Sequence, residues 1–323
     1  MSDTPILVGD IGGTHIRFAI AEPSGARWVI THRSDVESTT STFEDILRGY
    51  LDSLGKEQMP AAASIAVAGP VIDGRVTLTN RNWRLSEKDL TRFGFRHALL
   101  MNDFAALAFA ATQLQRSSLY TIGPEISGIP NQPISILGAG TGLGVSLLAW
   151  DRIRRVPIAT EGGHMGFAPS NEKEMAVQRI LSRRFGRVSV ERILSGPGIQ
   201  NVFSSLHELA GSKPEQIDAS TIIERARTGE PISIDTQNLF CAVYGAVAGD
   251  IALAHGASGG VFIAGGIAQK IKDILATSEF RTRFEDKGRL SYFVRTIPTR
   301  IILDNDATFA GAAIAMQEFI DGR

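Results

Sequence analysis

The chain has 323 residues, 43% of them apolar and 21% charged, with a formal net charge of −1. That length can bury a large core and suggests two lobes, while the near-neutral balance supplies no global field toward nucleic acid or an anionic membrane. A single cysteine, Cys241, excludes an internal disulfide and any zinc site with two cysteine ligands.

The opening, MSDTPILVGD, lacks the basic and apolar regions of a secretory signal. No apolar run approaches the length needed to cross a bilayer, so a cytoplasmic enzyme is expected. Residues 6–20, ILVGDIGGTHIRFAI, place an apolar strand before Asp10, Gly12, Gly13 and Thr14. There is no G-x-x-x-x-G-K-[ST], and the segment holds no lysine, which excludes a P-loop. A dinucleotide-binding turn would run into a helix. Here Ile16, Phe18 and Ile20 alternate with Arg17 and Ala19, a period of two that predicts a second strand. The unit is therefore a hairpin with a glycine tip. Successive N–H groups in such a tip form an anion-binding nest, and Asp10 can hold a Mg²⁺ or its waters or simply cap the turn.

ASIAVAGPVIDGRVTLTN predicts a strand followed by a hairpin, and Ala98 to Met101 another strand, ending at Asn102 and Asp103 before an alanine-rich helix. Asp103 suits a helix N-cap, with Asn102 able to close the turn. The carboxyl end of a strand in an α/β sheet is also where ligands gather, and a carboxylate there can take a proton from a hydroxyl. Residues 134–150, ISILGAGTGLGVSLLAW, repeat the strand–glycine turn–strand device, which suggests two related lobes. A basic loop, Arg152 to Arg155, follows, then TEGGHMGFAP, whose two glycines let Glu161 and His164 turn toward one cavity. Helices are expected from about Glu172 to Phe185 and over most of 220–256. Glu191, in VSVERILSGPG, reads by default as a solvated helix residue or a partner of Arg192. GGVFIAGGI, residues 259–267, is a buried strand ending in Gly265 and Gly266. These provide either close helix–strand packing or a side-chain-free platform for a base or ribose. A last strand and helix complete an α/β pattern with mixed sheets.

In order, LVGDIGGTHIR, LTNRNW (78–83), NDF (102–104), GAGTGLG (138–144), EGGH (161–164), ERILSGPG (191–198), GGVFIAGGI and FEDKGR (284–289) resemble the bacterial glucokinase family of the actin-like ATPase and hexokinase superfamily. The resemblance covers nearly the full chain. It implies a two-lobed actin-like, ribonuclease H-like α/β fold with a nucleotide and sugar cleft between the lobes. Residues 1–112 plus 303–323 would form the small lobe and 113–302 the large one. It implies an ATP:hexose 6-phosphotransferase that makes glucose 6-phosphate, entering glycolysis. Gly9, Asp10, Gly12, Gly13 and Thr14 would meet the ATP phosphates, with Gly140 and Thr141 approaching from the second lobe and the adenosine near Gly265 and Gly266. Asp10 would assist Mg²⁺, through water. Asn102, Asp103, Glu161, His164 and Glu191 would hold the sugar, with Asp103 as general base. Relatives suggest a homodimer, with no nucleic acid or membrane partner. His15 stands where the family often has Asn, and is expected to alter phosphate affinity.

Two kinds of rival remain. One is a kinase for fructose, mannose or an amino sugar, although the related kinase and repressor branch needs a cysteine-rich zinc motif that one cysteine cannot supply. The other is a non-sugar actin-like ATPase, which would not need Asn102, Asp103, EGGH and Glu191 together. A transcriptional regulator is not expected, because a first strand near residue 5 would leave no room for an N-terminal helix-turn-helix and there is no strong basic excess.

Overall fold

A computed structural model describes residues 4–13, 15–25, 27–37, 41–55, 59–78, 82–151 and 154–322. Thr14, residues 79–81 of the LTNRNW motif and Arg152 lie outside the described residues. The chain divides into two compact units, one of residues 1–115, 150–159 and 304–323, the other of 116–149 and 160–303.

The first unit contains β1 (Ile6–Ile11), β2 (His15–Ser24), β3 (Arg27–Glu37), β4 (Ala62–Val67), β5 (Arg75–Leu78), β6 (Trp83–Ser86) and β7 (His97–Asn102). Its main sheet has the order β3-β2-β1-β4-β7, while β5 and β6 pair with each other. β1 runs antiparallel to β2 and parallel to β4, which is parallel to β7. The alternation read from the sequence sets the two faces. Leu7, Ile11, Ile16, Phe18 and Ile20 pack on one side with Phe43, Leu47, Tyr50 and Leu51 of the helix Phe43–Ser53. Ile6, Val8, Ala19 and Ala21 pack on the other. There they meet helices Asp103–Ala111 and Ala307–Ile320, whose facing residues include Ala105, Ala106, Ala312 and Ala313. A Cβ on Gly311 would overlap the Ala106 carbonyl oxygen, so these two helix backbones touch.

The other sheet takes β8 (Leu119–Ile122), β9 (Ile134–Ala139), β10 (Leu143–Asp151), β11 (Arg154–Thr160), β12 (Gly260–Ala264) and β13 (Thr299–Ile302), in the order β11-β10-β9-β12-β13-β8. β9 is antiparallel to β10 and parallel to β12, which is parallel to β13. The wiring β11-β10-β9-β12-β13 thus repeats β3-β2-β1-β4-β7. The second unit's core joins this sheet to helices Gly196–Leu209, Ala219–Arg227 and Pro231–His255. Helix Glu172–Phe185 falls where the sequence places it.

Two expectations change. Arg154 and Arg155 open β11 and are not loop residues. The Arg155 guanidinium pairs with Glu318, donates to Thr112 Oγ1 at 2.7 Å and lies 5.8 Å from the Phe109 ring centroid, so its charge is neutralised within the first unit. Helix Pro231–His255 does have the length and apolar composition of a bilayer span, but 67% of its apolar window is buried. Its apolar residues serve the protein core.

Candidate active site

The parallel strands of the first unit align Ile11, Val67 and Asn102 at their carboxyl ends. Two strand spacings, about 10 Å, therefore separate the end of β1 from the end of β7. Gly12 and Gly13 leave this edge on one strand and Asn102 and Asp103 on the other. The Gly12 N–H donates to the His15 carbonyl at 3.0 Å, closing the tip. Gly9 lies upstream within β1, where a Cβ would sit 2.6 Å from Ile65 Cδ1 and 3.1 Å from the Phe18 ring. A side chain there is opposed by packing.

At the end of β7 the capping question resolves in favour of Asn102. Its Oδ1 accepts from the N–H groups of Phe104 and Ala105 at 3.0 and 3.2 Å, and its Nδ2 donates to the Gly69 carbonyl at 3.2 Å. Asp103 is the first helical residue, half-buried, with Oδ1 accepting from Phe104 N at 3.0 Å.

The Asp10 carboxylate, 14% exposed, is ion-paired with Arg17. Arg17 also donates to the Asn305 carbonyl at 3.4 Å and lies 5.3 Å from the Phe309 ring centroid. His15 Nδ1 is 2.9 Å from Asp35 Oδ1. Asp10, Gly12, His15, Arg17 and Asp35 line a depression of about 330 Å³ beside the glycine tip. Sequence reasoning missed Arg17 and Asp35. The signal for Arg17 was present, because a hairpin that pairs Ile11 with Ile16 must set Asp10 opposite Arg17.

In the second unit, Gly140, Thr141 and Gly142 form the tip between β9 and β10, with Gly140 N donating to Gly142 O at 2.8 Å. The EGGH loop folds as a short 3₁₀ turn, Gly162–His164, against β10. A Cβ on Gly163 would overlap the Leu143 carbonyl oxygen, which explains the glycine. Glu161 and His164 are exposed, 67% and 59% at the side chain, and 3.9 Å apart. The loop is tied to the turn Val190–Arg192 by a hydrogen bond from Val190 N to Met165 O at 2.8 Å. Glu191, expected by default to be solvated, is half-buried. Its Oε2 accepts from Leu143 N at 2.8 Å, beside the second glycine tip. Glu161, His164 and Glu191 are thus brought together with Gly140 and Thr141.

Gly265 follows β12 at φ +90°, and a Cβ there would sit 2.6 Å from the Ala139 carbonyl oxygen. Its backbone conformation and its approach to β9 both call for glycine. Gly266 has open space where a side chain would be, as a flat platform needs. Beneath this tip, the fully buried Tyr244 hydroxyl accepts from Ala139 N at 3.2 Å. Burial pushes its phenol pKa above the usual range.

A family model described as Glucokinase matches residues 7–319. A glucokinase of Caulobacter vibrioides (strain NA1000 / CB15N) is 48% identical over 314 residues, covering 96% of this chain and 94% of that protein. One from Caulobacter sp. (strain K31) is 46% identical over 320 residues, 98% and 96% of the two chains. Among solved structures, a glucokinase from an Antarctic psychrotroph matches with a TM-score of 0.90 and 33% identity, covering 98% of this chain and all 100% of the other. A ROK family glucokinase from Streptomyces griseus, solved in complex with glucose and AMPPNP, shares the fold at a TM-score of 0.65 and 20% identity, covering 97% and 99%.

Proposed function

The chain belongs to the glucokinase family, and from that premise we propose that it transfers the γ-phosphoryl group of ATP to O6 of D-glucose, releasing glucose 6-phosphate. Phosphoryl transfer asks the protein mainly for alignment and charge stabilisation. In this reading the tips Gly12–Gly13 and Gly140–Thr141 lie against the phosphates, the Gly12 and Gly140 N–H groups closing the turns onto His15 and Gly142. Gly266, in open space, faces the adenosine. Glu161, His164 and Glu191 read the ring hydroxyls, and groups that the bound sugar covers reject sugars that leave them unpaired. The fold is then the two-lobed actin-like one, with both substrates in a cleft that closes on sugar and excludes water as a rival nucleophile.

Asp103 is the general base. The observation that carries this assignment is that Asn102 performs the helix capping, at the same sheet edge as the first glycine tip. In this reading Asp103, at the start of that helix, meets a substrate hydroxyl and accepts its proton as the new O–P bond forms. Such help is worth on the order of 10²–10⁴-fold.

Mg²⁺ fits one place in this scheme. Asp10 is the carboxylate that would meet it, through water, and no group of three or more His, Cys, Asp or Glu among the described residues forms a separate cage. A magnesium ion carried on phosphates needs only one or two carboxylates. When bound, it offsets negative charge on the transferring group. Arg17 orients Asp10 and balances its charge.

A coupled assay with ATP, Mg²⁺ and a hexose panel tests the reading. ADP release that depends on glucose, with kcat/KM highest for glucose, is expected. Sugar-independent hydrolysis would replace it with an ATPase, and a higher kcat/KM for fructose, mannose or an amino sugar would reassign the acceptor.

A further inference from the structure

The loop from Glu191 to Gly198 grips the second glycine tip at two points. The Leu143 N–H, one residue beyond the tip, donates to Glu191 Oε2 at 2.8 Å. The Gly196 N–H donates to the carbonyl of Gly140, within the tip, also at 2.8 Å. The loop is itself braced: Ser195 Oγ donates to the Glu191 carbonyl at 2.8 Å and accepts from Gly198 N at 2.9 Å. The sequence has made room for this grip. A Cβ on Gly142 would lie 2.5 Å from Glu191 Oε2, so any side chain at 142 drives the carboxylate away. On its other side the same turn is joined to the EGGH loop through Val190 and Met165.

We propose that Glu191 is a two-sided positioning residue: Oε2 fixes the second phosphate tip while Oε1 meets the sugar, so that glucose occupancy tightens nucleotide binding. This rests on the glucokinase reading above and adds to it a route of communication. Among the described residues Oε1 takes no protein partner. A sugar hydroxyl donating to Oε1 immobilises the carboxylate. That in turn holds the Leu143 N–H and the tip in the conformation that presents backbone donors to phosphate. The coupling is reciprocal, as any equilibrium coupling between two sites must be.

The test measures the dissociation constant of a non-hydrolysable ATP analogue by calorimetry, with and without saturating glucose, in the wild type and in Gly142→Ala. In the wild type, glucose should tighten the analogue by about 5-fold or more, the lower end of typical coupling. In Gly142→Ala that factor should fall to below about 2-fold, while glucose alone still binds. A residue that merely supported the fold would weaken the analogue equally in both conditions and leave the factor intact. Hydrogen exchange on the wild type gives a second readout that needs no variant. Glucose without nucleotide should slow exchange at the amides of residues 140–143. A full coupling factor in Gly142→Ala, no factor in the wild type, or unchanged exchange at these amides would each overturn the proposal. Failure of the wild type to phosphorylate glucose would instead overturn the reading beneath it.

Discussion

Asp103→Asn separates chemistry from architecture. Asn102 supplies the helix cap, accepting two N–H groups and donating to Gly69. Asn at 103 retains an oxygen able to accept from Phe104 N, and the substitution removes the charge at the positive end of the helix. That is worth about 0.3–1 kcal/mol, and for a chain of this size a melting-temperature fall of no more than about 4 °C. Turnover, by contrast, loses the general base, about 10²–10⁴-fold in kcat. Asn102→Ala is the control: loss of the cap costs about 1 kcal/mol and loss of the Gly69 bond about 1 kcal/mol more. The assays are chemical denaturation of both variants and steady-state kinetics of Asp103→Asn with both substrates varied. Turnover within tenfold of wild type would remove Asp103 as base. A destabilisation by Asp103→Asn as large as that of Asn102→Ala would show that the capping argument is wrong.

Gly311→Ala should destabilise by about 2–3 kcal/mol, because the new methyl has no room against the Ala106 carbonyl; a change under 0.5 kcal/mol in urea denaturation would count against the close helix contact. Glu174 is 2% exposed and ion-paired with Arg283 at 2.8 Å. Burial raises its pKa, but the bonds from Arg283 and Ser170 outweigh that and hold it below 4.5. A depressed folded-state pKa stabilises above the unfolded value and is lost as pH falls through the folded one. Glu174→Gln should therefore cost about 3 kcal/mol at pH 7, and the gap from wild type should narrow below pH 4.5 in matched denaturation curves. His15→Asn breaks a half-exposed contact with Asp35 and should change stability by less than about 0.5 kcal/mol. It should shift KM for ATP more than KM for glucose, and a larger glucose effect in paired titrations would count against its place at the phosphate tip.

What could be read from the sequence was what local spacing encodes. Glycines between alternating apolar runs announced both hairpins, and β7 with Asn102–Asp103 followed from an apolar run meeting an alanine-rich helix. The family followed from the motifs in their order. Other features depended on partners distant in the chain. Glu191 looked like a solvated residue because its acceptor role is fulfilled 48 residues away, on Leu143. Arg154 and Arg155 looked like loop because four nearby charges mask a strand whose second arginine is neutralised by Glu318. Helix Pro231–His255 is apolar enough for a membrane because its apolar residues join a core with neighbouring helices and the sheet. The choice between Asn102 and Asp103 as cap turned on a one-residue difference in helix start, which residue preference alone does not resolve.

The contact between Gly311 and Ala106 has a bearing on synthesis. The helix that begins at Asp103 is made early, yet the backbone it rests against comes from residues 307–320, much later in synthesis. A nascent polypeptide from which residues 307–320 have not yet emerged would carry that alanine face uncovered. Proteolysis of stalled chains should accordingly find the 103–111 segment vulnerable until residues 307–320 have emerged, however complete the other unit already is.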